Sequence, residues 1–216
     1  MNAAVMNPVD LASLLCSRLC HDLLSPVGAL NNGIELLADE HDPEMRARCL
    51  ELLTDSARAS ANKLKFFRLA FGAAGGFADD VDTREARVAI EGLFGGEGRI
   101  QLGWMVDEPT MSKSALKVLL NLTLIAGDAL VRGGRLDIGA EKSDAGIDIV
   151  VRAEGPRIVI DPELKRALLG QIDEHSIAPR GAAAWLVHCL VKDAGGQIQI
   201  AGGDDGTLLI GAQIPA

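Results

Sequence analysis

The chain has 216 residues, is 48% hydrophobic and only 3% aromatic with no Tyr, and carries a formal net charge of −9. That length allows one large domain or two small ones, with an aliphatic core of the kind that suits helix packing. An acidic chain with pI near 4.9 argues against nucleic acid or an anionic membrane as partner, because phosphate contact depends on Lys and Arg.

Cys16, Cys20, Cys49 and Cys189 form no CxxC pair and no zinc spacing. They read as small apolar fillers in a reducing cytosol. Residues 1–6 lack the basic start and long apolar run of a signal peptide, and no apolar run reaches the roughly 18 residues of a membrane helix. A cytoplasmic protein with no metal of its own is expected.

Pro8 to Ala38 reads as one long amphipathic helix. Asp42-Pro43-Glu44 supplies an N-cap, a first-turn proline and a first-turn acid for a second helix, Pro43 to about Phe71. Leu52, Leu53, Leu64, Phe67 and Phe71 would form its apolar face, and Gly72-Ala73-Ala74-Gly75-Gly76 ends it. The short His41-Asp42 connection makes the two helices antiparallel neighbours. Such a hairpin leaves apolar surface uncovered on each helix, and pairing two copies into a four-helix bundle covers it. A homodimer is therefore expected.

Beyond the glycines the pattern changes. Helices are expected at Thr83–Phe94, Ser112–Val131, from Asp161-Pro162-Glu163, and at Gly181–Ala194. Strands are expected at Arg99–Val106, Arg135–Ala140, Gly146–Ala153, Gln197–Ala201 and Thr207–Ile214. This alternation implies a two-layer α/β sandwich. The division is 1–76, a helical hairpin for dimerisation and histidine chemistry, and 77–216, the sandwich. Trp104 and Trp185 read as core packing.

At about 100° per residue, Leu15, Leu19, Leu23, Leu30, Ile34 and Leu37 cluster on one arc of the first helix, with Cys16 and Val27 at its edge. His21 lies roughly 180° from that arc. Its helical neighbours are Ser17, Arg18, Leu24, Ser25 and Gly28, and Asp22 follows it about 100° to the side. Neutral imidazole is a usable nucleophile near pH 7. Pro26 adds a second signal: a mid-helix proline costs ~3 kcal/mol or more and frees the carbonyl of Asp22. His41 falls in a turn, His175 in a loop and His188 on an apolar helix face, which makes them weaker carriers.

Leu19-Cys20-His21-Asp22-Leu23-Leu24-Ser25-Pro26-Val27 resembles the H-box of sensor histidine kinases. Lys117-Val118-Leu119-Leu120-Asn121-Leu122 resembles the start of the kinase N-box, and Val151 to Ile158 the G1 box. Gly181 to Val187, ending at Ala194-Gly195-Gly196, resembles the G2 box with its helix, and Gly206-Thr207-Leu208-Leu209 the closing strand. The ATP site implied by Asn121, Ile125, Ala153, Gly155, Arg157 and Gly181 is degenerate. Ile125 stands for the second N-box asparagine, Ala153 for the adenine-binding aspartate and Arg157 for the second G1 glycine, while Ala182-Ala183-Ala184 replaces the glycine-rich G2 loop. Little room for a lid remains between Pro156 and Ala178. Unpaired adenine donors and uncompensated triphosphate charge follow, so no bound ATP is expected.

An intact H-box with a degenerate ATPase-like domain resembles the ChpT-type histidine phosphotransferases. The resemblance implies a homodimer that takes a phosphoryl group from the receiver domain of a hybrid histidine kinase (CckA-like). It passes the group to response regulators (CtrA-like, CpdR-like). His21 would carry the group, with Asp22 beside it and Mg²⁺ supplied by the receiver. Arg18, Leu24, Ser25 and Gly28 are the candidate partner contacts; Arg18 could equally form a surface salt bridge, and Ser25 could cap the kink. Two rivals stand beside this reading: an ATP-dependent histidine kinase core, and a non-catalytic scaffold that binds receivers.

Overall fold

The computed structural model describes residues 6–72, 80–96, 98–173, 176–203 and 205–216. Helix α1 runs Pro8–Asp39, capped by Asn7, whose side chain accepts from the Val9 N–H. Helix α2 runs Pro43–Ala70, capped by Asp42, which accepts from the Met45 N–H at 2.9 Å. The two pack as the expected antiparallel hairpin.

The face that α1 turns to α2 differs from the single apolar arc. It is centred on Pro26 and Gly33, both buried, with Leu19, Asp22 and Leu30 half-buried along the same stripe. Gly33 allows the close approach there: a Cβ at this position would lie 2.8 Å from Leu53 Cδ2 and displace that side chain. Ile34, assigned to that arc, is 60% exposed. On α2, Leu52 and Leu64 are exposed as well, whereas Phe66 and Phe67 are buried and Phe67 stacks on Phe71. The difference has a physical cause. Helix α1 carries two apolar stripes about 100° apart, and a single hairpin covers only one.

The remainder is built from β1 (Asp80–Asp82), α3 (Thr83–Phe94), β2 (Ile100–Val106), β3 (Thr110–Ser112), α4 (Lys113–Ala129), β4 (Gly134–Ser143), β5 (Gly146–Glu154), α5 (Pro162–Leu168), α6 (Ala182–Asp193), β6 (Gln197–Gly202) and β7 (Thr207–Pro215). The main sheet has order β2-β4-β5-β7-β6; β2 runs parallel to β4 and the other neighbours are antiparallel. The small ribbon β1–β3 was not expected. The expected turn Ser143-Asp144-Ala145-Gly146 is present, with Ser143 paired to Gly146, and β4 runs on to Ser143 past its expected end at Ala140.

Alternation directs Leu136, Ile138, Ile149, Val151, Ala153, Leu208 and Ile210 to one face of the sheet, where they are buried. The opposite face bears Arg135, Asp137 and Arg152, joined by salt bridges. Helix α4 is apolar almost all round and nearly wholly buried, as expected of a helix enclosed between layers. The last turns of α2 enter this same core through Phe66, Phe67, Leu69 and Ala70. The N-terminal turns of α1 rest on α6, where Met6, Ile177 and Trp185 form a small cluster flanked by Leu11 and Leu14. Trp185 thus joins the first helix to the last. Residues 73–76 of the glycine-rich break, and His175, lie outside the described residues.

Candidate functional site

Pro26 has no N–H to give the carbonyl of Asp22 four residues earlier. The ammonium of Lys63, reaching across from α2, donates to that carbonyl at 2.7 Å. Helix α1 continues through the proline, so the interruption is confined to the turn that carries His21. Lys63, and not Ser25, therefore takes up the freed carbonyl.

His21 projects outward with its side chain 84% exposed. Its Nδ1 lies 3.1 Å from Asp22 Oδ1. An ionised carboxylate can only accept, which assigns the ring proton to Nδ1 and leaves the Nε2 lone pair facing solvent. Asp22 contacts the ring from the side, as its place in the sequence requires. Its other oxygen, Oδ2, accepts from Arg18 Nε at 2.7 Å.

Arg18 is neither free nor an ordinary surface pair, its side chain being only 13% exposed. Besides Asp22, its guanidinium donates to Asp128 Oδ2 on α4 at 2.6 Å and to the Arg180 carbonyl at 3.4 Å. Burial works against the Arg18 charge, but Asp128 and Asp22 more than offset it and hold its pKa above the ordinary value. Asp128 is exposed at its rim yet crowded on its inner side. That crowding pushes its carboxyl above the ordinary range, while Arg18 draws it back down.

The remaining α1 candidates surround His21. Leu24 and Ser25 are exposed, and a Cβ added at Gly28 would meet nothing within 4 Å. Beside this face a cleft of about 950 Å³ opens between α1 and the sandwich. Arg18, His21 and Asp22 line one wall, and Ile125, Asp128, Val159, Asp161 and Arg180 are among those lining the other.

Of the positions in the degenerate ATP site, only Ile125 faces this cleft. Asn121 is buried in the core, donating to the Ala70 and Lys117 carbonyls. Ala153 is buried on the inner face of β5. The Gly155 N–H donates to the Gly206 carbonyl at 3.0 Å. Arg157 is exposed, and Gly181 is buried in a 3-10 turn, Pro179–Gly181, that precedes α6.

Sequence reasoning missed Asp128, Lys63 and Arg180. A signal existed for Lys63, since a proline-freed carbonyl on a packed face needs a donor from another element. No local pattern marks Asp128, which reaches Arg18 across 110 positions of sequence.

The site is thus a helical histidine held by its neighbouring acid, on a hairpin joined to an α/β sandwich. The family model described as "Histidine phosphotransferase C-terminal domain" matches residues 83–206, and the chain belongs to this family. It is 34% identical over 195 residues to Protein phosphotransferase ChpT of Brucella abortus (strain 2308), covering 90% of this chain and 91% of that protein. A bacterial phosphotransferase solved at 1.7 Å superposes with a TM-score of 0.85 at 32% identity, covering 98% of this chain and 99% of the other. The catalytic domain of the histidine kinase ThkA also matches, at 19% identity and a TM-score of 0.47, over 63% of this chain and 93% of that one.

Proposed function

We propose that His21 is the phosphoryl carrier of this histidine phosphotransferase and that it relays the group between receiver-domain aspartates. The observation that carries the reading is the ring geometry: Nδ1 faces Asp22 and Nε2 is open. In the forward step the Nε2 lone pair attacks phosphorus and an N–P bond forms. The acyl-phosphate P–O bond breaks, and its electron pair leaves with the donor carboxylate. No proton has to move, because Nδ1 keeps its hydrogen toward Asp22, which shares the positive charge the ring acquires. The second transfer is the same step reversed onto another receiver. Positioning and charge neutralisation supply most of the catalysis in such transfers, with the receiver's own Mg²⁺ shielding the phosphoryl oxygens.

Two classes of receiver fit this role, a hybrid histidine kinase of the CckA kind as donor and response regulators of the CtrA and CpdR kinds as acceptors, all in the cytoplasm. Docking uses the exposed face formed by Leu24, Ser25 and Gly28. ATP is not the phosphoryl source, since Ile125 and Ala153 offer apolar groups where a metal ligand and an adenine acceptor would have to stand. The protein acts as a homodimer through the second stripe of α1. In that stripe Cys20, Val27 and Ile34 recur every seven residues, with Cys16 and Leu23 beside them.

Incubation with a ³²P-labelled receiver tests the carrier. Label should pass to the wild-type chain, should not pass to His21→Gln, and should not arise from γ-labelled ATP alone. Equal labelling of His21→Gln would sink the assignment.

A further inference from the structure

The hydrogen bonds around His21 do not end at Asp22. Asp128 Oδ2 accepts from the Arg18 guanidinium, Arg18 Nε donates to Asp22 Oδ2, and Asp22 Oδ1 faces His21 Nδ1, with distances of 2.6, 2.7 and 3.1 Å along the chain. The first of these groups stands on α4, in the sandwich, and the last is the exposed ring on the hairpin.

We infer that Asp128 is a positioning residue for phosphotransfer, holding His21 in the tautomer whose Nε2 is free, through Arg18 and Asp22. The inference rests on His21 being the carrier. An isolated histidine side chain favours the tautomer protonated on Nε2, the wrong one for attack through that atom. Asp22 reverses this preference only while Oδ1 points at Nδ1. A carboxylate alone on a helix surface rotates freely, and Arg18 stops the rotation by engaging Oδ2. Arg18 itself has a long, flexible stem, and its position is fixed because its three nitrogens meet three separate acceptors: Asp22, Asp128 and the Arg180 carbonyl. A guanidinium spreads these donors over three nitrogens in a fixed fork, whereas an ammonium gathers its three on one freely rotating nitrogen. At metal-ligating histidines, partners that orient the imidazole through its second nitrogen change activity by about 10–100-fold when removed, and the same scale is taken for His21.

The arrangement also gives the sandwich a role in transfer that needs no nucleotide. Helix α4 keeps Ile125 on the cleft wall and places Asp128 one turn further on. Through Asp128 the sandwich acts on the ring of His21 without touching it.

The test is imidazole ¹⁵N NMR of the full chain, above the titration range of the rings, with His21 assigned by its loss in His21→Gln. In wild type the Nδ1–H tautomer of His21 should predominate. In Asp128→Asn the ratio of Nδ1–H to Nε2–H should fall at least threefold, while His41, in the connection between α1 and α2, keeps its own. Transfer from a phosphorylated receiver should slow by about 10-fold in rate at saturation, with the half-saturating receiver concentration unchanged. Arg18→Lys, which keeps the charge and loses the fork, should show the same signature, and it serves where Asp128→Asn does not fold. The wild-type Arg18 Nε–H offers a check without mutation: it should exchange with solvent more slowly than the exposed Arg84 and Arg180 side chains.

An unchanged His21 tautomer in a folded Asp128→Asn or Arg18→Lys chain overturns the inference, as does an Arg18 Nε–H that exchanges like an exposed one. Failure of the carrier assignment looks different, because label would then persist on His21→Gln whatever the tautomer does.

Discussion

At the residue scale, the turn from Arg18 to Pro26 turns a defect into a site. The proline leaves the Asp22 carbonyl without its helical donor, and Lys63 supplies one from the other helix. Lys63→Met should leave that carbonyl unsatisfied and destabilise the hairpin by about 1–3 kcal/mol. In a Pro26→Ala background the restored N–H can serve the same oxygen, so the cost of Lys63→Met should shrink. A double-mutant cycle followed by urea unfolding measures this coupling; strictly additive effects would show that the two residues do not share the carbonyl. Asp22→Asn preserves the shape beside His21 but can turn an amide N–H toward Nδ1. That reverses the tautomer and removes the charge that balances the phosphorylated ring. Transfer should fall on the order of 10²-fold, read as the single-turnover rate from a phosphorylated receiver, with folding unaffected by circular dichroism.

At the scale of elements, the helices were legible because their ends are written in local chemistry. Asp42 and Asp161 each cap a helix whose first residue is proline, as the sequence implied, and each side chain accepts a backbone N–H, whereas Ser112, expected as the first residue of α4, proves to be its cap. The ribbon β1–β3 was not legible, since strands of three residues are too short to show a period. The orientation of α1 was half legible. Its outward histidine follows from the wheel, but two adjacent apolar stripes merge into one broad arc on paper, and only packing against α2 separates Pro26 and Gly33 from Val27 and Ile34. Arg18 was misjudged for a related reason: its decisive partner belongs to α4, far along the chain. Gly28 tests the docking face at this scale. Glycine inside a helix is less stable than alanine by about 0.5–1 kcal/mol, and the added methyl would meet nothing within 4 Å. Gly28→Ala should therefore raise the unfolding midpoint while weakening transfer several-fold, because the methyl lies where a receiver would approach. A variant that is both more stable and fully active would place the docking face elsewhere.

At the scale of the whole molecule, the proposed carrier site and the proposed dimer face lie on different sides of one helix. The two stripes of α1, one covered by α2 and the other bare, lie on the flank opposite His21. Val27 and Ile34 remain 50% and 60% exposed on the bare stripe, one heptad apart. On α2, Met45 and Leu52 are also exposed, a further heptad-spaced pair. Complete burial of one such side chain stabilises by about 1.5–3 kcal/mol, so covering the exposed halves of several in two copies yields enough for association. Pairing the stripes around a two-fold axis brings each residue close to its own symmetry mate, which makes a charge there doubly unfavourable. Val27→Glu combined with Ile34→Glu should accordingly convert the protein from dimer to monomer in light scattering coupled to size exclusion. Arg18, His21, Asp22, Lys63 and Asp128 all belong to one chain and none stands on that stripe. A folded monomer should thus still accept label at His21 from a phosphorylated receiver, with a rate per chain within a few-fold of wild type. A wild-type chain that runs as a monomer would remove the dimer from the reading. A monomeric variant that is folded but inert would show instead that the second copy completes the site.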